Sequence, residues 1–186
     1  MPFRPLSSRD VRWAPAEGEG LEHLHLATTP TGVVARSSLI GSRGDRPYGV
    51  FYEIDLDASW HVTRFCIETA HGQRLALAQA APGRWTGEDG THRTDLDGCI
   101  DIDLAGTPFT NTLPIRRLDG RLAAPTELRM VYVPFDTFEP LVDEQRYAER
   151  SPGLYRYEAV DGGFTAELPV DEDGLVIDYP TLFRRA

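Results

Sequence analysis

Regular alternation of apolar and polar side chains is the feature that most constrains the fold of this chain. In the clearest run, 48–56, every second residue is large and apolar: Tyr48, Val50, Tyr52, Ile54 and Leu56. The intervening positions include Glu53 and Asp55. A period of two residues places the two sets on opposite faces of a β-strand, whereas a helix has a period of 3.6 residues. We therefore predict a strand at 48–56 with Tyr52 on its apolar face.

The same pattern recurs along the chain between turn signals. A second run begins at Trp60 and places Trp60, Val62, Arg64 and Cys66 on one face, with His61, Thr63, Phe65 and Ile67 on the other. In the second half, Asp161-Gly162-Gly163 precedes another alternating run and predicts a hairpin. Turn signals spaced roughly 8 to 12 residues apart are typical of an antiparallel sandwich or barrel.

Helical periodicity is nearly absent. The best candidate is 111–118, in which Asn111 is expected to cap the N-terminus and Pro114 to lie in the first turn. A last helical turn is a further possibility at 181–184. Without a linker or a convincing repeat, residues 1–186 are expected to form a single all-β domain, mostly antiparallel, with one or two short helices.

The charge composition argues against several classes of partner. The chain has 19 arginines, no lysine and 29 acidic residues, for a net charge of −10. Such a surface repels nucleic acid and anionic lipid head groups. No signal peptide is recognisable, and no apolar run reaches the roughly 20 residues of a membrane span. We expect a soluble cytoplasmic protein without an integral membrane segment, in which Cys66 and Cys99 are free thiols.

Known catalytic motifs are missing. The sequence contains no nucleophile elbow, no phosphate-binding loop and no Cys-x-x-Cys. His23 and His25 share one side of a predicted strand, but no third ligand follows them within a few residues. We expect neither a metal nor another cofactor.

Asp101 and Asp103 lie on one face of a predicted strand at 99–104. Paired carboxylates can hold a cation or act as an acid and a base. They can equally hydrogen-bond the next loop or pair with Arg116 and Arg117, and we favour this structural role because it is the commoner one.

The segment 106–118 follows these aspartates and is unusually rich in Thr, Asn and Pro. Thr110 and Asn111 offer side chains that bond nearby backbone groups, and an arginine fork grips carboxylates or phosphates. The segment is expected to be either a rigid corner between strands or the rim of a binding site. Arg64 is a second oddity, because a cation on an apolar strand face needs either an internal carboxylate or an anionic ligand.

Several of these segments resemble a bacterial family known as "putative glycolipid-binding", formerly a domain of unknown function. The likeness covers almost the whole chain in the same order. It is carried by Trp60 with Arg64, by 99–104 continuing into Thr-Pro-Phe-Thr-Asn-Thr-Leu-Pro at 107–114, by Gln145-Arg146-Tyr147, by Tyr155-Arg156-Tyr157 and by the tail at 171–180. The resemblance implies a long antiparallel sheet, curled like that of lipoprotein carriers around an apolar interior that holds a lipid or glycolipid. It supplies no catalytic residues.

Three functions remain open at this stage. The leading one is non-enzymatic binding of a small amphipathic ligand such as a glycolipid or acyl lipid. Its expected apolar lining is Tyr52, Trp60 and Phe65, and its expected anion-binding residues are Arg64, Arg116 and Arg117. The second is an enzyme acting on sugars or esters through Asp101 and Asp103. The third is a protein–protein interaction module with a packed core and no pocket above ~300 Å³.

Overall fold

The computed structural model describes residues 3–44 and 46–186. As far as Gly87, the chain forms seven strands that pair with their neighbours in sequence order, which makes an antiparallel meander. Its strands are β1 (Arg9–Pro15), β2 (Leu21–Thr29), β3 (Gly32–Arg43), β4 (Arg46–Asp57), β5 (Val62–Thr69), β6 (Arg74–Ala81) and β7 (Arg84–Gly87).

The next five strands form a second sheet in the order β12-β11-β10-β9-β8. They are β8 (Asp101–Leu104), β9 (Thr126–Val133), β10 (Leu141–Ser151), β11 (Leu154–Ala159) and β12 (Thr165–Pro169). The hairpin predicted at 161–163 joins β11 to β12. Two short C-terminal strands, β13 (Asp178–Tyr179) and β14 (Phe183–Arg185), return to the first sheet, and β14 pairs with β1. A strand therefore occupies the position where a last helical turn was predicted at 181–184.

Among the described strands, the pair β8 and β9 departs from the antiparallel pattern, because these two strands are parallel. Parallel neighbours need a crossover connection, and the segment after β8 provides it. This crossover contains a 3₁₀ turn (Phe109–Asn111) and the helix α1 (Thr112–Arg117), which confirms the predicted helix. Asn111 does not cap it through its side chain, because that side chain bonds Pro108 and Tyr147 instead. Another 3₁₀ turn (Thr94–Leu96) precedes β8.

The start of β5 differs from the predicted alternation. Trp60 has φ +67° and lies in the turn before the strand, which begins at Val62. The pairing with β4 then shifts by one residue, so that Thr63 is left out of the register. Such a bulge reverses the faces of the residues beyond it. Phe65 and Ile67 therefore join Val62 in the core, and the prediction that Arg64 shares the face of Val62 is wrong.

The main core lies between the two sheets. Inward residues of the first sheet, such as Leu24, Tyr52 and Phe65, pack against Ile102 and Val131 of the second. The opposite face of the second sheet is covered by the crossover and by the C-terminal segment, which form a separate aromatic cluster around Tyr147. The predicted all-β fold class with a curled sheet is confirmed, as a half-barrel packed on a second sheet.

Both cysteines are buried free thiols, as predicted. Burial raises the pKa of each thiol, to about 11 for Cys99. Neither one is therefore a thiolate near neutral pH. In the described residues, no helix is long and apolar enough to cross a bilayer.

Candidate functional site

A pocket of about 380 Å³ opens between the two sheets at one end of the half-barrel, and we call it the inter-sheet pocket. It lies beyond the carboxyl ends of β8 and β9, opposite the start of β2 and the end of β3. Its apolar wall includes Trp13, Leu21, Leu39, Ile40, Tyr48, Phe135, Leu182 and Phe183. The close approach of Phe135 requires glycine at 106, where a Cβ atom would collide with the ring.

Of the described residues that line this wall, Glu22 is the one with an almost completely buried ionisable side chain, at 3% exposed. It lies on the inward face of β2, on the side of Leu24 and Leu26. Burying a carboxyl group among apolar side chains is costly unless hydrogen bonds compensate. The partners of Glu22 therefore decide what this position is for.

Only one oxygen of Glu22 is satisfied. Its Oε1 accepts hydrogen bonds from the hydroxyls of Ser37 at 2.8 Å, Tyr52 at 2.6 Å and Thr107 at 2.9 Å. These donors come from β3, from β4 and from the crossover, so three separate elements converge on a single atom. The other oxygen, Oε2, is buried and accepts no hydrogen bond from any described residue.

The environment raises the pKa of Glu22 to about 7. Burial is the main cause, and the three hydroxyl donors oppose it only in part. Near neutral pH the group therefore exists in both forms. The protonated form can donate a hydrogen bond from Oε2, and the ionised form can accept one there. Burial and the Glu22 charge together raise the pKa of Tyr52 well above its usual range, so this phenol stays a donor.

The rim of the inter-sheet pocket is acidic. Glu17 and Glu19 lie on the exposed turn between β1 and β2. No arginine, lysine or histidine is found among the described residues that line the pocket. An adjoining smaller pocket of about 270 Å³ shares Leu182 and Phe183 with it and contains Asp103.

A shallow apolar groove on the outside of the first sheet meets the rim at Leu21 and Ile40, and we call it the outer groove. It runs across β2 to β5 and encloses about 640 Å³. Ile40 is 64% exposed, and Phe51 lies exposed farther along. An apolar chain leaving the inter-sheet pocket over this rim would thus find further apolar surface.

Three of the ligand-binding residues predicted from the sequence lie in the protein interior. Phe65 packs edge-on against Trp85 in the core, and Trp60 is covered by Arg116, whose guanidinium lies 4.2 Å from the ring centroid. Tyr52 is fully buried and donates a hydrogen bond to Glu22, which lines the inter-sheet pocket. The described lining of the inter-sheet pocket includes none of the three residues Tyr52, Trp60 and Phe65.

The predicted anion-binding arginines have partners within the chain. Arg64 is exposed and lies 3.3 Å from Asp55 and 3.5 Å from Glu53. Arg116 donates to the main-chain carbonyl of Asp173 at 2.7 Å. Arg117 is buried and forms an ion pair with Asp101. None of the three lines the inter-sheet pocket as described.

Asp101 and Asp103 have separate partners. Asp101 is 1% exposed and accepts a fork of hydrogen bonds from Arg117, at 2.9 and 2.5 Å. Asp103 accepts from Thr110 at 3.0 Å and from Gln145 at 2.7 Å, and burial raises its pKa. The sequence predicted that Arg116 and Arg117 pair with Asp101 and Asp103. Arg117 does pair with Asp101, whereas Arg116 bonds the main chain of Asp173.

The crossover is tied to the second sheet through Thr110 and Asn111. The Thr110 hydroxyl accepts from the backbone of Leu104 at 3.4 Å while it donates to Asp103. Asn111 accepts from the Tyr147 hydroxyl at 2.8 Å. These bonds place Thr107, which lies between β8 and the 3₁₀ turn, within reach of Glu22.

The two histidines of β2 point away from the core. His25 Nδ1 lies 2.8 Å from an oxygen of Asp10, and both side chains are exposed. No cluster with the composition of a metal site was found in the described part of the chain.

Glu22 was missed from the sequence although a signal was present. It alternates in phase with Leu24 and Leu26, so it is a charged residue on an apolar strand face. Arg64 was noted for the same reason, but a bulge in β5 moves its side chain to the opposite face. For Glu22 the alternation continues without interruption through β2.

Comparisons with known proteins give one consistent result. A family model described as "Putative glycolipid-binding" matches residues 10–185. The fold is similar to the crystal structure of a DUF1089 family protein from Pseudomonas aeruginosa, with a TM-score of 0.78 and 35% sequence identity, covering 100% of this chain and 96% of that one. Among curated proteins, no match was found.

Proposed function

Because the chain belongs to the "putative glycolipid-binding" family, we propose that it binds a small amphipathic molecule of the glycolipid kind in the inter-sheet pocket. The polar head of the ligand meets Glu22. Its apolar part contacts Leu39 and Phe135 and continues over Ile40 into the outer groove. Binding involves no chemical step and no cofactor.

The observation that carries this proposal is that Glu22, a residue in the wall of a largely apolar pocket, has a buried oxygen, Oε2, without a hydrogen-bond partner among the described residues. Ligand sites are typically concave and mostly apolar, with a few polar groups that orient the ligand. A carboxyl oxygen left without a partner costs about 1–3 kcal/mol, and a ligand hydroxyl that bonds it recovers part of that cost. Each buried methylene of the ligand adds about 0.8 kcal/mol.

The other two functions receive less support. An enzyme acting through Asp101 and Asp103 needs the two carboxyl groups as an available pair, but both oxygens of Asp101 are bonded by Arg117, and Asp103 bonds Thr110 and Gln145 instead. An interaction module with a packed core was expected to have no pocket above ~300 Å³, and the inter-sheet pocket exceeds that size. The cytoplasmic location stays a prediction.

Native mass spectrometry and ligand titration test the proposal. Protein that has been delipidated is titrated with n-decyl β-glucoside below its micelle concentration while tryptophan fluorescence is followed, because Trp13 lines the pocket. We expect saturable binding of one ligand and a matching mass adduct. Purified protein that carries no adduct and takes up no member of an alkyl glycoside series would refute the proposal.

A matched pair of variants locates the ligand. Ile40→Ser removes an exposed apolar side chain at the pocket mouth and is expected to weaken binding about fivefold, from the loss of about 1 kcal/mol of apolar contact. Ile177→Ser is the control, because Ile177 is also exposed, at 41%, and lies outside the pocket lining. Equal effects of the two substitutions would place the ligand elsewhere.

A further inference from the structure

We infer that the inter-sheet pocket takes an uncharged, hydroxyl-bearing head group and rejects anionic amphiphiles, with Oε2 of Glu22 as the contact that determines this specificity. The inference rests on the proposed function, because it concerns the ligand of the same pocket. It goes further by naming the charge class of the head group and the atom that selects it.

The charge of the walls is the first argument. Glu22 forms part of the wall, and Glu17 and Glu19 lie at the rim. The adjoining pocket adds Asp103 and Asp143. Neither lining, as far as the structure describes it, includes a basic side chain. An anionic head entering this space meets the buried Glu22 without a compensating cation, where screening by water is weak, whereas the exposed Glu17 and Glu19 add a smaller, screened repulsion.

The hydrogen-bonding state of Glu22 is the second argument. Oε1 already accepts from three hydroxyls, so any further partner must bond Oε2. A ligand hydroxyl both donates and accepts, and it can therefore bond Oε2 whether Glu22 is ionised or protonated. A carboxylate or phosphate dianion has acceptors alone and can bond only the protonated form.

Cationic heads are also disfavoured. A quaternary ammonium group has no N–H and leaves Oε2 without a hydrogen bond. A primary ammonium group can donate, but it must lose its hydration to enter a mostly apolar pocket. The attraction of the buried Glu22 carboxylate often fails to recover that cost, and the exposed carboxylates of the rim add little because solvent screens them. A neutral hydroxyl carries no comparable penalty.

The test uses ligands that share a decyl chain and differ in the head: n-decyl β-glucoside, decanoate, decyl phosphate, decylamine and decyltrimethylammonium. Affinities for the full-length protein are measured by calorimetry at pH 8, below each micelle concentration. We expect the glucoside to bind at least tenfold more tightly than each of the other four. This comparison needs no variant, so it does not depend on the folding of one.

The variant Glu22→Gln then tests whether Oε2 of Glu22 determines which head group binds. The amide keeps an acceptor for the three hydroxyls and a polar group at the position of Oε2, so the glucoside should bind within about threefold of wild type. Decanoate should gain about tenfold, because the negative charge is gone. The control, Glu17→Gln with Glu19→Gln, changes two exposed charges and should help decanoate by less than threefold, because exposed charges are screened.

Each outcome separates the inference from the function on which it rests. If no ligand of the series binds, the proposed function fails and the inference fails with it. If decanoate or decyl phosphate binds as tightly as the glucoside, the inference is overturned while the binding function stands. If decylamine binds more tightly than the glucoside, the inference that the head group is uncharged is overturned. If Glu22→Gln binds decanoate no more tightly than wild type does, Glu22 does not determine the preference for an uncharged head group.

Discussion

Two buried carboxyl groups, Glu22 and Asp101, are treated in opposite ways by this fold. Asp101 is held by a fork of two hydrogen bonds from Arg117, so its charge is balanced and both oxygens are bonded. Glu22 has three neutral donors on one oxygen and no described partner on the other. A buried carboxyl group with both oxygens hydrogen-bonded holds two elements together. A buried carboxyl group beside a pocket with one oxygen unbonded can instead bind a ligand.

The largest expected effect comes from breaking the Asp101 pair. Arg117→Met leaves a carboxylate buried without its cation, and we expect a loss of about 3–5 kcal/mol in the free energy of unfolding. Urea denaturation at pH 7 measures it. The double variant Asp101→Leu with Arg117→Met should recover most of the loss. A loss below about 1 kcal/mol in the single variant would contradict our account of this pair.

The next effect concerns the pH dependence due to Glu22. The folded protein holds this proton up to a pKa of about 7, whereas the unfolded chain releases it near 4.5. The stabilisation is therefore complete below pH 4.5 and is lost as the pH rises through 7, a change of about 3 kcal/mol. Glu22→Gln should match wild type near pH 4.5 and exceed its stability by that amount at pH 8. A difference between the two proteins that is constant across this range would show that Glu22 has an ordinary pKa.

A smaller effect is expected from removing one donor. Ser37→Ala takes away one of the three hydrogen bonds to Oε1 and should cost about 1 kcal/mol at pH 8, and less at pH 5, where Glu22 is protonated. Ser38→Ala is the matched control, since Ser38 is the next residue of β3 and faces outward. If the two substitutions reduce the free energy of unfolding equally, the hydrogen bond from Ser37 to Glu22 does not contribute measurably to stability.

The smallest effect is expected at Arg64, the exposed counterpart of Arg117. Its ion pairs with Glu53 and Asp55 lie at the surface, and Arg64→Ala should cost less than about 0.5 kcal/mol and respond to salt. Denaturation at low and high ionic strength checks both points. A loss close to that of Arg117→Met would remove the contrast between buried and exposed pairs.

Much of the fold could be predicted from the sequence. Alternation at 48–56 identified the strand and its Tyr52 face, because every second side chain of a strand must point the same way. The hairpin at 161–163 followed from turn chemistry, and the helix near 111–118 was located correctly although the side-chain cap predicted at Asn111 does not form. These are local properties, determined by neighbours in the chain.

The site was harder to predict, because its parts lie far apart in sequence. Alternation along β2 contains a signal that Glu22 lies on the apolar face, but our prediction did not use it. What it could not supply was the convergence of Ser37, Tyr52 and Thr107 on Oε1, since that depends on the register of β2 to β4 and on the packing of the crossover.

The sequence by itself determined where the strands run and which side chains alternate along them, since strand geometry follows from each residue and its neighbours. Tertiary structure alone decided that a bulge moves Arg64 to the surface, that β8 and β9 run parallel, and that one oxygen of Glu22 is left without a partner beside a pocket. The reason is that strand register, crossover connections and the pairing of buried polar groups depend on contacts between elements that lie far apart in the sequence.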